Sequence, residues 1–322
     1  MPSTTRRAFL GATATGLTGL AGCDSLGESD PTVEFTLHVD RLDHPLAETV
    51  LWTLPESTDE SPVQQTRRRA VAAAVAGERF STYGYSAVPD GEYVERDGRY
   101  YLLDDVVTGS ERIERSILRL SWVGRVENEE TPEATPREDL PEFDQNAVMA
   151  AYFAARAEEH GGGAPWDLIE QGGFVYRHLD GVESELAPDP EHEYVAVHGT
   201  VLEVTVTQET LVEPEHTGFA TEVADSAAAF DDVADAAAVE RRLAPDDLGP
   251  DVRDLFERVR GLERYSETMP LSDAFESLVE TLRMRDALDC SPENCRPKLY
   301  ETEYLAYDGE YYDCALYTNV TE

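Results

Sequence analysis

Lysine is almost missing from this chain: Lys298 is the only one, although Lys and Arg together number 26. Against them stand 66 Asp and Glu, which set the formal net charge at −40. No extended basic patch offsets the acids, and a phosphate backbone is bound chiefly by neutralising its charges, so no nucleic-acid partner is expected. Long apolar runs are absent as well; none approaches the ~18 residues that mark a membrane-spanning helix. Several catalytic signatures are missing. There is no Gly-x-Ser-x-Gly nucleophile elbow, no phosphate loop ending in Lys-Ser/Thr, no His-Glu-x-x-His and no Gly-x-Gly-x-x-Gly string.

What is there argues for a folded chain. Hydrophobic residues make up 41%, and 15 are Tyr, too many for a disordered acidic segment. A surface of Asp, Glu and Arg with so little Lys resembles the proteins of haloarchaea. Arg carries a weakly hydrated, delocalised charge, whereas Lys is a strongly hydrated ammonium on an apolar stem. At molar salt the Debye length is about 3 Å and the self-repulsion is screened. At low salt the same charge opposes the compact state.

Four cysteines are present. Cys290-Ser-Pro-Glu-Asn-Cys295 is a compact loop able to close as a disulfide, with Cys314 as the alternative partner of either thiol. One thiol is left over in each case. A three-Cys zinc site is the weaker reading, since no His lies nearby in sequence. No metal and no cofactor are expected.

The chain shows internal repetition. Glu92–Leu102 (EYVERDGRYYL) and Glu303–Asp313 (EYLAYDGEYYD) match at Tyr93/Tyr304, Asp97-Gly98/Asp308-Gly309 and Tyr100-Tyr101/Tyr311-Tyr312. A third copy, Glu193–Glu203, carries His198-Gly199 at the turn. Asp-Gly between apolar runs signals a hairpin, because a type I′ turn needs φ > 0 at both central residues. Helices are expected upstream, over Gln64–Ala76, Asp144–Glu159 and Pro250–Arg260, each followed by glycine. A further helix is expected at Ser272–Arg283, with Ser272 as its cap. Strands are expected where Val33, Phe35, Leu37 and Val39 alternate with polar residues, at Ile113–Val126, and more weakly at Phe219–Val223.

The expected fold class is therefore α+β, with repeated units of one helix on a small antiparallel sheet with an Asp-Gly-type hairpin. The expected divisions are a signal peptide (1–22), a polar tether (23–31), unit one (32–126), an acidic linker (127–141), unit two (142–240) and unit three (241–322).

Chemistry-bearing motifs are weak. His160-Gly161-Gly162-Gly163 matches an oxyanion-hole string, but without a nucleophile elbow the glycines read as a helix stop and loop. The seven histidines are scattered, and acidic pairs such as Asp104-Asp105 arise from composition alone. The Tyr-Tyr pairs are more telling. Adjacent strand residues face opposite sides, so one of Tyr100/Tyr101 and one of Tyr311/Tyr312 is expected to face outward. Exposed Tyr is a good contact residue; cross-strand aromatic pairing is the plainer reading. Asn319-Val320-Thr321 is an N-glycosylation sequon.

The first 23 residues carry the sharpest signal. Arg6-Arg7 stands ahead of a mildly apolar stretch, Ala8–Ala21, which ends at Leu20-Ala21-Gly22-Cys23. The arginine pair resembles a twin-arginine export signal and Leu-Ala-Gly-Cys resembles a lipobox. Thr5 stands where such signals often have Ser. The chain thus resembles the exported lipoproteins of haloarchaea. The resemblance implies export, cleavage before Cys23 and lipid attachment there, and no particular activity. The expectation is a non-enzymatic envelope or interaction protein at the outer face of the cell membrane, with the membrane and an envelope protein as partners. The alternatives are a solute-binding component and a hydrolase with an unrecognised site.

Overall fold

The computed structural model describes residues 32–53, 62–160, 163, 165, 168–178, 182–262, 264–291 and 295–321. Arg6, Arg7, Cys23 and the tether through residue 31 lie outside the described residues. In chain order the elements are β1 (Thr32–Arg41), α1 (Leu46–Thr49), α2 (Pro62–Val75), β2 (Ser81–Tyr83), β3 (Tyr93–Arg96), β4 (Arg99–Arg125), β5 (Thr135–Pro136), α3 (Glu142–His160), β6 (Ile169–Glu170) and β7 (Gly173–Tyr176). There follow β8 (Tyr194–Val197), β9 (Thr200–Ala224), α4 (Ala227–Ala238), β10 (Val239–Leu243), α5 (Pro250–Val259), β11 (Tyr265–Thr268), α6 (Asp273–Thr281), β12 (Lys298–Tyr307) and β13 (Glu310–Thr321). Two compact units result. Among the described residues, unit A draws on 52–96 and 101–222, and unit B on 32–51, 97–100 and 223–321.

Unit A is built on two long strands, β4 of 27 residues and β9 of 25. They lie side by side in an eight-stranded sheet of order β5-β8-β9-β4-β7-β6, with β3 added to β4 and β2 to β9. Their side-chain partners run in opposite senses, Arg115 with Glu213 and Arg119 with Glu209, so the pair is antiparallel. Helix α3 buries Ala147, Val148 and Ala151 against Leu118, Leu120, Phe174, Val195 and Leu202. Its first turn is fixed by Asp144, fully buried, which accepts from Tyr176 Oη (3.1 Å), Ser184 Oγ (2.8 Å) and the Glu185 amide (2.7 Å). A carboxylate is tolerated there because donors and the helix N-terminus both compensate its lost water. Helix α2 sets Ala70 and Ala74 in a second cluster with Val94 and Leu103.

Unit B holds a five-stranded sheet of order β10-β12-β13-β1-β11. Strand β1 shows strict alternation. Val33, Phe35 and Leu37 are fully buried, while Glu34, Thr36 and His38 between them are only half-buried. The inward set packs on Leu255, Phe256 and Val259 of α5 and Phe275, Leu278 and Val279 of α6. Ser272 caps α6, its Oγ accepting from the Phe275 amide at 3.2 Å. The three turns Asp97-Gly98, His198-Gly199 and Asp308-Gly309 all have positive φ at both residues, between 50° and 81°. Only the glycines hold that conformation without steric cost.

The expected fold class needs correction. The chain does not form repeated helix-on-sheet units. Among the described residues strand predominates, in two large mixed sheets with six α-helices. The physical reason is that β4 and β9 do not stop after their hairpins. Both stay extended and pair with each other, so the first and second hairpins share one sheet. Of the stretch 113–126, residues 113–125 are the far end of β4, and 219–223 lie at the far end of β9. What recurs is the local strand order around each hairpin: β3-β4-β9-β2, β8-β9-β4-β7 and β12-β13-β1-β11. Within 127–141 lie β5, paired in parallel with β8, and a 3-10 turn at Arg137–Asp139.

Candidate interaction face

The alternation of β1 decides which side of the unit B sheet is left to solvent. Core residues point at α5 and α6, so Glu34, Thr36 and His38 point away from them. Strand β13 pairs with β1 and presents Ala315, Tyr317 and Asn319 on the same side, opposite His38, Thr36 and Glu34 respectively. Strand β12 adds Leu299, opposite Tyr317. Tyr317 is 45% exposed and Leu299 39%. His38 meets the Tyr317 ring edge-on at 5.4 Å between centroids. Thr36 and Ser266 of β11 share a hydroxyl hydrogen bond of 2.8 Å. A shallow groove of about 590 Å³ runs over this face, bordered by Arg264, Lys298, Tyr317 and Asn319. Lys298, the chain's only lysine, lies 4.4 Å from the centre of the Tyr300 ring. Alternation turns Lys298, with Tyr300, to the helix side of β12, so the open face combines an exposed aromatic, an apolar neighbour, hydroxyls, the Glu34 carboxylate and, at its border, Arg264. That set suits contact with a surface carrying a carboxylate and small apolar groups.

Unit A treats its corresponding side differently. On the face of its sheet turned away from α3, Arg115, Ile117 and Arg119 alternate with the buried Leu118 and Leu120. Ile117 packs with Val175 and Leu211. Charged residues on either side of that apolar spot pair with each other. Glu213, 1% exposed, accepts from Arg115 Nη2 (2.7 Å) and Arg177 Nε (2.8 Å), and Arg177 also reaches Glu170. Arg119 donates to Glu209 and Thr207, and Arg79 to Glu215. Gly84 is required beside this cluster: a Cβ there would lie 2.5 Å from Arg177 Nε and 2.8 Å from Glu213 Oε1, and its φ is +77°. The Tyr85 and His178 rings meet at a tilt of 55°, with centroids 4.6 Å apart. Burial and the charges of Arg115 and Arg177 push His178 down to about 4, and burial pushes Tyr85 up to about 12. Among the described residues, no group of three His, Cys, Asp or Glu is placed to hold a metal ion. No described helix is long and apolar enough to cross a membrane.

The sequence-selected residues scatter. Cys290 and Cys295 form a disulfide, and Cys314 is a free thiol buried in the unit B core, where burial raises its pKa. Tyr311 donates to Asp235 (2.7 Å), whose carboxylate is also held by Arg242. Tyr312 is 2% exposed and accepts from Arg260 Nη1 at 2.7 Å. Tyr100 stacks on Phe230 of α4, with centroids 4.3 Å apart. Tyr101 packs half-buried on the α2 cluster. His198 and Gly199 sit at their turn, with the His198 ring 5.8 Å from Tyr152. Among the described residues selected from the sequence, Asn319 lies on the open face. Sequence reasoning passed over Tyr317, Leu299 and Thr36, although the β1 alternation that fixes the face was legible. No protein-family model, curated protein or solved structure matches this chain.

Proposed function

We propose that the chain is an envelope protein, held at the outer face of the cell membrane by lipid on Cys23, that binds another envelope protein through the open face of its unit B sheet. The observation that carries the binding part is the contrast across one sheet. One side of β1 is fully buried, and the other leaves Tyr317 and Leu299 exposed beside a groove bordered by Arg264. In a chain of net charge −40, Arg264 at the border of this face favours a partner segment bearing a carboxylate. The anchoring part rests on Arg6-Arg7 and Leu20-Ala21-Gly22-Cys23. Binding is favoured over catalysis because several strongly displaced groups are engaged inside the fold, and His178 faces the Tyr85 ring rather than a nucleophile. Tyr176 is held at Asp144, Tyr307 at Glu257, and Cys314 is enclosed in the core.

The test is crosslinking in intact cells at native salt, followed by isolation and mass spectrometry, with Cys23→Ser as control. The expected result is one defined envelope protein, captured by the wild type and lost in the Cys23→Ser strain. Wild type and variant both free in the medium would contradict the anchor. An anchored wild type that captures no protein would favour a small ligand or a surface reaction.

A further inference from the structure

We propose that Asn319 carries an N-linked glycan whose first sugar packs on Tyr317 in the groove of the unit B sheet. The inference rests on the reading that this part of the chain reaches the outer face of the membrane. Asn319-Val320-Thr321 has the residue types that an oligosaccharide transferase accepts. Three features of the fold make this sequon usable.

The first is exposure: Asn319 is exposed on β13 and borders the groove of about 590 Å³. The second is backbone freedom. Pairing of β13 with β12 starts at Thr318, opposite Lys298, so residues 319–321 are paired only with β1. A ladder bonded on one side opens locally at lower cost than one bonded on both, which lets a transferase draw the sequon out of a folded protein. The third is the neighbour. Residues two apart on a strand share a face, so Tyr317 presents its 45% exposed ring beside the Asn319 side chain. The apolar C–H face of a sugar fits against such a ring, and Glu34, Thr36 and His38 stand along the same groove to meet its hydroxyls. An exposed Tyr and Leu thereby gain a cover supplied by the chain itself, and the sugar becomes part of the face offered to a partner.

The chemistry needs a co-reactant of one class, a saccharide linked through its anomeric carbon to a polyprenyl phosphate or diphosphate. The Asn319 Nδ2–C1 bond forms as the C1–O bond to the lipid phosphate breaks. The phosphate leaves with the electron pair, and the amide nitrogen gives up one proton.

The test uses full-length protein isolated from the membranes of its own cells. Lys298 is the last basic residue, so trypsin releases 299–322 as one peptide, while residues 23–41 form another. The expected result is a sugar mass on 299–322, absent in Asn319→Gln and in Thr321→Ala. Tyr317→Ser keeps the sequon and is expected to make the sugar several-fold more susceptible to a glycosidase. A bare 299–322 peptide beside a lipidated 23–41 peptide would overturn the glycan while leaving the anchor standing. Both peptides bare would overturn both. Equal glycosidase rates in wild type and Tyr317→Ser would overturn the packing on Tyr317.

Discussion

The two sheets solve the same problem in opposite ways. Each is covered on one side by helices, α3 in unit A and α5 with α6 in unit B. The other side must still be reconciled with water. Unit A closes the middle of it with charge, while Phe219, further along β9, stays 48% exposed. Glu213 joins Arg115 and Arg177 at 1% exposure, and Glu209 and Glu215 hold Arg119 and Arg79. Unit B leaves it open, with Thr36, His38, Tyr317 and Asn319 in a row of hydroxyls, rings and an amide. The difference separates two uses of polar side chains. A buried ion pair fixes geometry more than it adds stability, because desolvation offsets much of the Coulomb gain. An open polar face contributes little to folding and is left available for contact.

The strongest way to break the comparison is to remove the centre of the closed face. Glu213→Gln leaves Arg115 and Arg177 without their shared counter-charge, at an expected cost of about 3–5 kcal/mol in denaturant titrations. A cost as small as that of a surface change would show the cluster to be incidental. Next comes Gly84→Ala. Its Cβ meets Arg177 and Glu213 under 3 Å at positive φ, and the expected cost is roughly 1–3 kcal/mol.

A pH series sharpens the same contrast. His178 lies against Tyr85 and near Arg115 and Arg177, and its folded value of about 4 is below its ordinary 6.5. The folded state therefore binds fewer protons than the unfolded state, and stability is lost as pH falls from 6.5 through 4. Comparing unfolding of wild type and His178→Gln across that window should show a flatter slope for the variant. An identical slope would mean that His178 is not held neutral. The smallest effects belong to the open face. Leu299→Ser and Tyr317→Ser are expected to change stability by less than about 0.5 kcal/mol while weakening partner capture.

Local chemistry was legible in the sequence. Asp97-Gly98, His198-Gly199 and Asp308-Gly309 announce turns because their backbone demand is carried by the residues themselves. Helices α2, α3, α5 and α6 show in periodicity and capping. Helix α4 was passed over, although Ser226 before an Ala-rich run, capping the Ala229 amide, was a usable sign. The partnership of β4 with β9 was not legible, since it depends on pairing across about a hundred residues. Glu213 reads like any of 66 acids until Arg115 and Arg177, separated from it by 98 and 36 residues, are brought to it. The Tyr-Tyr pairs illustrate the same limit. Alternation assigns Tyr311 and Tyr312 to opposite faces, but only the fold shows Asp235 waiting for one and Arg260 for the other.

The central claim is that the unit B face is made for contact and the unit A face for closure. It is tested most directly by placing one photo-crosslinking residue at Ala315, opposite His38 in the middle of the open face, and in a second strain at Thr205, exposed on β9 of unit A. Both proteins are irradiated in cells at native salt. The account predicts a discrete crosslinked envelope protein from position 315 and none from position 205. The same adduct from both positions, or an adduct from 205 alone, would contradict it.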